Sequence, residues 1–239
     1  METSKKVALI TGANKGLGLE IARQLGQQGI VVVLGARQGK AEAPAAALRA
    51  EGFDARAVEL DVTKAADIAA LPLFFQSTFG RLDILINNAG VQLDTGTGFD
   101  TSPDALRQTY EANVLGPYAI TQALLPLLQQ APAGRIVNQS SILGSLTTIG
   151  AGQGGDWATP GYTSSKAALN MLTVVLAQHL SNTQLKVNAA HPGWVKTDLG
   201  GPGAPLNVSE GARTAVRLAL LPADGPTGQF FHNEEALPW

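Results

Sequence analysis

Tyr162 and Lys166 stand four residues apart just after Pro160, so a helix through them sets a phenol and an ammonium on one face. A free phenol titrates near about 10 and is a poor acid–base group at neutrality. A fixed cation beside it favours phenolate and moves it toward the working range. Ser140 and Ser141 end an aliphatic run and offer a hydroxyl to a substrate oxygen. Asn113 sits inside a long helix-like stretch that it does little to stabilise, which makes it a candidate for a water-relay contact. Tyr-x-x-x-Lys is common by chance. Its weight comes from what precedes it.

A second group of residues suits phosphate. Thr11-Gly12-Ala13-Asn14-Lys15-Gly16-Leu17-Gly18 lies between an aliphatic run and an amphipathic one. There Gly12 permits a tight turn, Gly16 lets backbone approach a pyrophosphate, and Gly18 permits close helix–sheet packing. A helix starting at that point aims unpaired N–H groups and partial positive charge at the ligand. The next aliphatic run ends in Gly35-Ala36-Arg37, without the carboxylate that would hold a free ribose hydroxyl. Arg37 can fork onto a 2′-phosphate and Lys15 can add a second charge, so the expected cofactor is NADP(H). Asp61, followed by Val62, can accept from an adenine amino group, although Asp-x-Thr also caps a helix. Asn87 and Asn88 suit exposed strand ends, and Gly90 leaves room for a flat ring.

The elements that must position these residues alternate along 239 residues. Strands are expected at Val7–Ile10, Ile30–Leu34, Ala55–Leu60, Leu82–Ile86, Arg135–Gln139, Leu185–Ala190 and, more weakly, Gln229–Phe231. They lack a period of two, as strands buried on both faces do. Leu17, Ile21 and Leu25 mark one face of the first helix. Pro117 is expected to kink the stretch from Ala105 to Leu128, and Pro72 to break the one from Asp67 to Phe79. Repeated strand–helix alternation predicts one α/β domain over residues 1–239, a doubly wound Rossmann-type fold with a mostly parallel seven-stranded sheet. Two Gly/Pro-rich loops, at about 142–161 and 193–207, fall at its carboxyl edge, where such sheets bind ligands.

Composition narrows the function classes. An apolar share of 45% with 15% charge rules out wholesale disorder. A net charge of −2 without a basic run argues against nucleic acid. The absence of cysteine excludes disulfides, thiolate metal sites and a cysteine nucleophile. His179, His191 and His232 lack metal-like spacing, so no metal is expected; His191 either touches the cofactor loop or is structural. The aliphatic start is too short for a leader and no run could span a membrane, so a soluble cytoplasmic protein is expected.

Thr11–Gly18, Asn87-Asn88-Ala89-Gly90, Asn113, Ser141, Tyr162-x-x-x-Lys166 and Pro192-Gly193, in this order, resemble the short-chain dehydrogenase/reductase family over essentially the whole chain. Asn14-Lys15-Gly16, Ala36-Arg37 and Pro192-Gly-Trp-Val-Lys-Thr-Asp198 are similar to NADPH-dependent carbonyl reductases within it. The resemblance implies Tyr162 as general acid/base, Lys166 lowering its pKa and holding the nicotinamide ribose, Ser141 orienting the carbonyl, and Asn113 supporting a proton relay. It also implies that Asn14, Leu17, Val62, Asn88, Ala89, Pro192, Gly193, Val195 and Thr197 line the cofactor. Ser141 precedes Tyr162 by 21 residues, wider than in common members, which marks an insertion around Ala151 to Trp157.

Leu143, Trp157, Trp194 and Leu199 are candidates for an apolar substrate wall, with Leu93 a weaker one; uncharged aldehydes and ketones are the favoured substrates. A dehydrogenase oxidising a specific alcohol, or a non-catalytic NADP(H) sensor, are the alternatives. Ala167, Leu169, Met171, Leu172, Val174, Val175 and Leu176 make the helix after Lys166 apolar nearly all round. Such a helix is deeply buried or part of a subunit interface, and the family resemblance points to a homodimer or homotetramer.

Overall fold

The computed structural model describes residues 5–94 and 100–239; residues 1–4 of the polar amino start lie outside them. Strands β1 (Val7–Thr11), β2 (Val31–Ala36), β3 (Ala55–Glu59), β4 (Ile84–Asn87), β5 (Arg135–Gln139), β6 (Lys186–Ala190), β7 (Phe230–His232) and β8 (Glu235–Ala236) form one sheet in the order 3-2-1-4-5-6-7-8. The first seven run parallel. To the seven expected strands the structure adds β8, a two-residue antiparallel edge reached through Asn233 at φ 51°. Asn tolerates that left-handed turn better than most residues.

The absence of a two-residue period has the expected cause. Along β1, Ala8 and Ile10 pack on one face with Ile21, Leu25 and Leu48, while Val7 and Leu9 pack on the other with Leu71, Phe75 and Leu124. Helices α1 (Gly16–Gln27), α2 (Glu42–Ala50) and α8 (Val208–Ala219) cover the first face. Helices α3 (Ala65–Thr78), α5 (Gly116–Gln130) and α7 (Pro160–His179) cover the second. Arg135 is buried at the start of β5, where its guanidinium donates to the carbonyls of Gly134, Gln184, Leu221 and Pro222.

Both proline expectations need correction. α3 runs unbroken through Pro72, because Ile68, Leu71 and Phe75 on its buried face outweigh one missing rung. The stretch around Pro117 divides into α4 (Pro103–Tyr110), a π-helical turn at Glu111–Leu115, and α5. The irregularity thus precedes the proline. Pro117 itself sits in the first turn of α5, directly after that π turn. The first carboxyl-edge loop holds α6 (Leu146–Gly150) and a 3₁₀ turn at Gly155–Trp157.

α7 is neither fully buried nor purely apolar on its inner side. Tyr162, Ser165, Lys166, Asn170 and Thr173 face inward, while Met171 and Val175 are exposed. No helix among the described residues is long and apolar enough to cross a membrane.

Candidate active site

Strand order reverses at β1, which lies between β2 and β4, and the crevice opens at the carboxyl ends of β1 and β4. Its lips are tied together. The Thr11 hydroxyl accepts from the N–H groups of Asn88 and Ala89, each at 3.0 Å, and the Asn88 amide donates to the Thr11 carbonyl at 2.8 Å. Asn88 therefore shapes the crevice. The glycines sit where side chains would intrude: a Cβ on Gly18 would lie 2.6 Å from both the Asn88 amide nitrogen and the Gly12 carbonyl. Gly12 and Gly16 adopt φ of 65° and 56°.

The loop after β6 faces this cradle. Thr197 Cγ2 lies 3.6 Å from where a Gly16 Cβ would stand, and Val195 pairs with Leu206 in a short parallel bridge. Pro192 leads into Gly193, at φ 81°, which packs beneath Leu206 and His232. Lys15 is not free as the charge argument expected: its ammonium pairs with the Asp198 carboxylate across the crevice. Both groups are exposed, so water screens the pair. Arg37 is exposed at the end of β2. Asp61 accepts from the Thr63 N–H (3.0 Å) and hydroxyl (2.8 Å), the capping pattern of Asp-x-Thr. Burial pushes its carboxyl up, but the Thr63 bonds and the nearby Lys64 and Arg37 charges outweigh that and leave it lowered. A glycine cradle at a helix start, with an exposed arginine beyond it and no acid at the end of β2, fits a dinucleotide carrying a ribose phosphate.

Tyr162 and Lys166 do face each other: Nζ lies 5.5 Å from the phenol ring centroid. Both are buried. Lys166 Nζ donates to the Gln139 carbonyl at 2.8 Å, and a Cβ on Gly90 would lie 3.4 Å from it. Ser141 and Ser140 have separate partners. The Ser141 hydroxyl is hydrogen-bonded to the Tyr162 phenol, whereas Ser140 donates to Asn170 at 2.6 Å and is spent on packing. Asn113 occupies the π-helical turn. Its amide accepts from the Val91 N–H and donates to the Val91 carbonyl, both at 2.8 Å, and donates to Ser165 at 3.0 Å.

The electrostatics correct one expectation. Burial dominates at the phenol and pushes Tyr162 up to about 12, with the Ser141 hydrogen bond opposing it. Burial likewise pulls Lys166 down to about 8. Desolvation disfavours the charged form of each, so the pair holds a protonated phenol beside a cation that is easily lost.

At the outer rim Trp157 and Trp194 come together, ring centroids 5.7 Å apart, and the Trp194 indole donates to the Gly200 carbonyl at 2.7 Å. Leu143 is half-buried beside Ser141, and Leu93 and Leu199 are exposed without meeting that pair among the described contacts. Sequence reasoning missed Asp94, whose carboxylate accepts from the Tyr162 N–H at 2.7 Å at the start of α7. No local pattern marks it, because the contact spans 68 residues. Among the described residues no group of His, Cys, Asp or Glu could hold a metal.

The short chain dehydrogenase family model matches residues 6–204. The chain belongs to the short-chain dehydrogenase/reductase family. This enzyme is 34% identical to (-)-isopiperitenone reductase of Mentha piperita, over 99% of each chain. It is 33% identical to carbonyl reductase [NADPH] 1 of Sus scrofa, over 100% of this chain and 96% of that one. Its fold superposes on NADPH-bound carbonyl reductase from chicken fatty liver with a TM-score of 0.86 at 29% identity, over 99% of this chain and 100% of that chain.

The lowered lysine sets a pH dependence. The ammonium is present below about 8 and lost above it, while the phenol stays protonated throughout. The ratio kcat/KM for the reduced cofactor, which reports the free enzyme, should be flat from pH 6 and fall as pH rises through about 8. Initial rates across pH 6–10 measure it; a level profile to pH 10 contradicts it.

Proposed function

We propose that this NADP(H)-dependent oxidoreductase reduces the carbonyl of uncharged, fairly apolar aldehydes or ketones. One observation carries the reading: the Tyr162 phenol, bonded to Ser141 and flanked by Lys166, is buried at the crevice beside the glycine cradle. When bound, NADPH supplies a hydride, and with it two electrons, to the carbonyl carbon. Ser141 donates a hydrogen bond to the carbonyl oxygen and so orients it. Tyr162 gives its proton to that oxygen as negative charge develops there, leaving an alcohol. A phenol held near 12 is protonated at every working pH, which suits the acid role that reduction requires. Lys166 holds the nicotinamide ribose, and its charge stabilises the phenolate left behind.

Asn113 supports reprotonation of Tyr162 through its main chain, since its side chain is committed to Val91 and Ser165. In an α-helix its carbonyl would accept from the N–H of residue 117. That residue is Pro117, which has none. On the cofactor side Gly12, Asn14, Gly16, Leu17 and Gly18 receive the pyrophosphate, Arg37 the 2′-phosphate, and Asp61 and Val62 the adenine. Ala89, Gly90, Pro192, Gly193, Val195 and Thr197 enclose the nicotinamide half. Lys15 joins Arg37 once it leaves Asp198. The whole chain acts as one binding domain, its substrate wall formed by Leu143, Trp157, Trp194 and Leu199 on the two carboxyl-edge loops.

α7 packs along α4 and the π turn, and these neighbouring helices expose Leu106, Leu115, Tyr118, Met171 and Val175. Large apolar side chains left exposed on helices that pack together suit a subunit interface, so a homodimer or homotetramer is the assembly we propose. Light scattering should give a multiple of the chain mass; a monomeric mass at high concentration contradicts it.

Two variants test the chemistry. Tyr162→Phe should lower turnover of an aldehyde, ketone and quinone panel roughly 10²- to 10⁴-fold while leaving NADPH binding intact; normal turnover overturns the mechanism. Arg37→Ala should weaken NADPH about 10- to 100-fold, the equivalent of a charge-assisted hydrogen bond, and leave NADH unaffected. An unchanged preference between the two cofactors rules out the 2′-phosphate contact.

A further inference from the structure

Ser141 stands one residue beyond the last rung of the β5–β6 ladder, where the Ser140 N–H donates to the Ala190 carbonyl at 2.8 Å. The next inward N–H, that of Ile142, finds no strand carbonyl. It donates instead to the Nδ1 of His191, at 3.3 Å. A peptide N–H can only donate, so Nδ1 carries no proton and the ring hydrogen is on Nε2. Burial, with the neighbouring His232, lowers His191 to about 4 and keeps the ring in this neutral, accepting form.

The ring is itself held. His232 Nδ1 donates to the His191 carbonyl at 3.0 Å, which leaves His232 Nε2 to accept from the Asn233 amide at 3.2 Å. The two imidazoles lie 5.1 Å apart, and His232 also packs under Gly193. His191 therefore extends the ladder by one side-chain rung, next to the hydroxyl that meets Tyr162.

We infer that His191 is a positioning residue for Ser141: its Nδ1 anchors the Ile142 N–H and thereby aims the serine hydroxyl at the substrate oxygen. This rests on the reading of Ser141 as the carbonyl-orienting group. Displacing a reacting group by about 1 Å can cost roughly 10²-fold in rate.

The experiment compares His191→Leu, His191→Asn, Ser141→Ala and the double variant His191→Leu/Ser141→Ala, measuring kcat, carbonyl KM and NADPH affinity by fluorescence. His191→Leu should lower kcat about 10- to 100-fold with NADPH affinity unchanged. His191→Asn, whose amide oxygen takes the place of Nδ1, should restore most of the rate. In the Ser141→Ala background, His191→Leu should cost nothing further, because both changes remove one function. A fully active Ser141→Ala overturns the site reading and this inference together. An impaired Ser141→Ala beside an active His191→Leu, or losses that multiply in the double variant, overturns this inference alone. Should His191→Leu fail to fold, His191→Gln replaces it, with its amide at the Nε2 position; equal rates for Asn and Gln then overturn the assignment.

Discussion

The hydrogen bond from Lys166 Nζ to the Gln139 carbonyl joins α7 to the end of β5, and the geometry of the candidate site depends on that joint. Tyr162 rides on the helix and Ser141 follows the strand end, and this bond, together with those from Ser140 to Asn170 and from Asn138 to Thr173, fixes one against the other. The approach is close: a Cβ on Gly144 would stand 2.7 Å from the Lys166 backbone carbon. Only glycine lets the segment after Ser141 pass so near α7. A lysine serves here as a strut as well as a charge, and burial of its ammonium is offset by the carbonyl it meets.

The same burial decides what the phenol can do. In water, a cation beside a tyrosine would favour phenolate. Inside this crevice the loss of hydration opposes charge on both groups, and the phenol keeps its proton. The proton on the phenol thus reflects exclusion of water. The ends of β1 and β4 supply a complementary site, where Thr11 and Asn88 satisfy one another's backbone groups and leave the glycine turn open to phosphate.

Much of this was legible in the chain. Runs such as Val7–Ile10 and Arg135–Gln139 announce doubly buried strands by their missing alternation, and the Gly12–Gly18 turn and the Tyr162/Lys166 spacing are local patterns. What escaped depends on contacts distant in sequence. Pro72 reads as a breaker until the core pressing on Ile68 and Phe75 is known. No local pattern places Asp198, 183 residues on, against Lys15. The sign of the Tyr162 shift depends on burial, which no spacing rule reports.

The paired indoles of Trp157 and Trp194 join the two carboxyl-edge loops at the rim. With 55° between the ring planes the contact is a tilted, uncharged one, so the tie between the two loops rests on hydrocarbon packing rather than on charge. Exchanging either indole for a small side chain would therefore leave each loop to keep its place by its own bonds, such as that from the Trp194 indole to the Gly200 carbonyl.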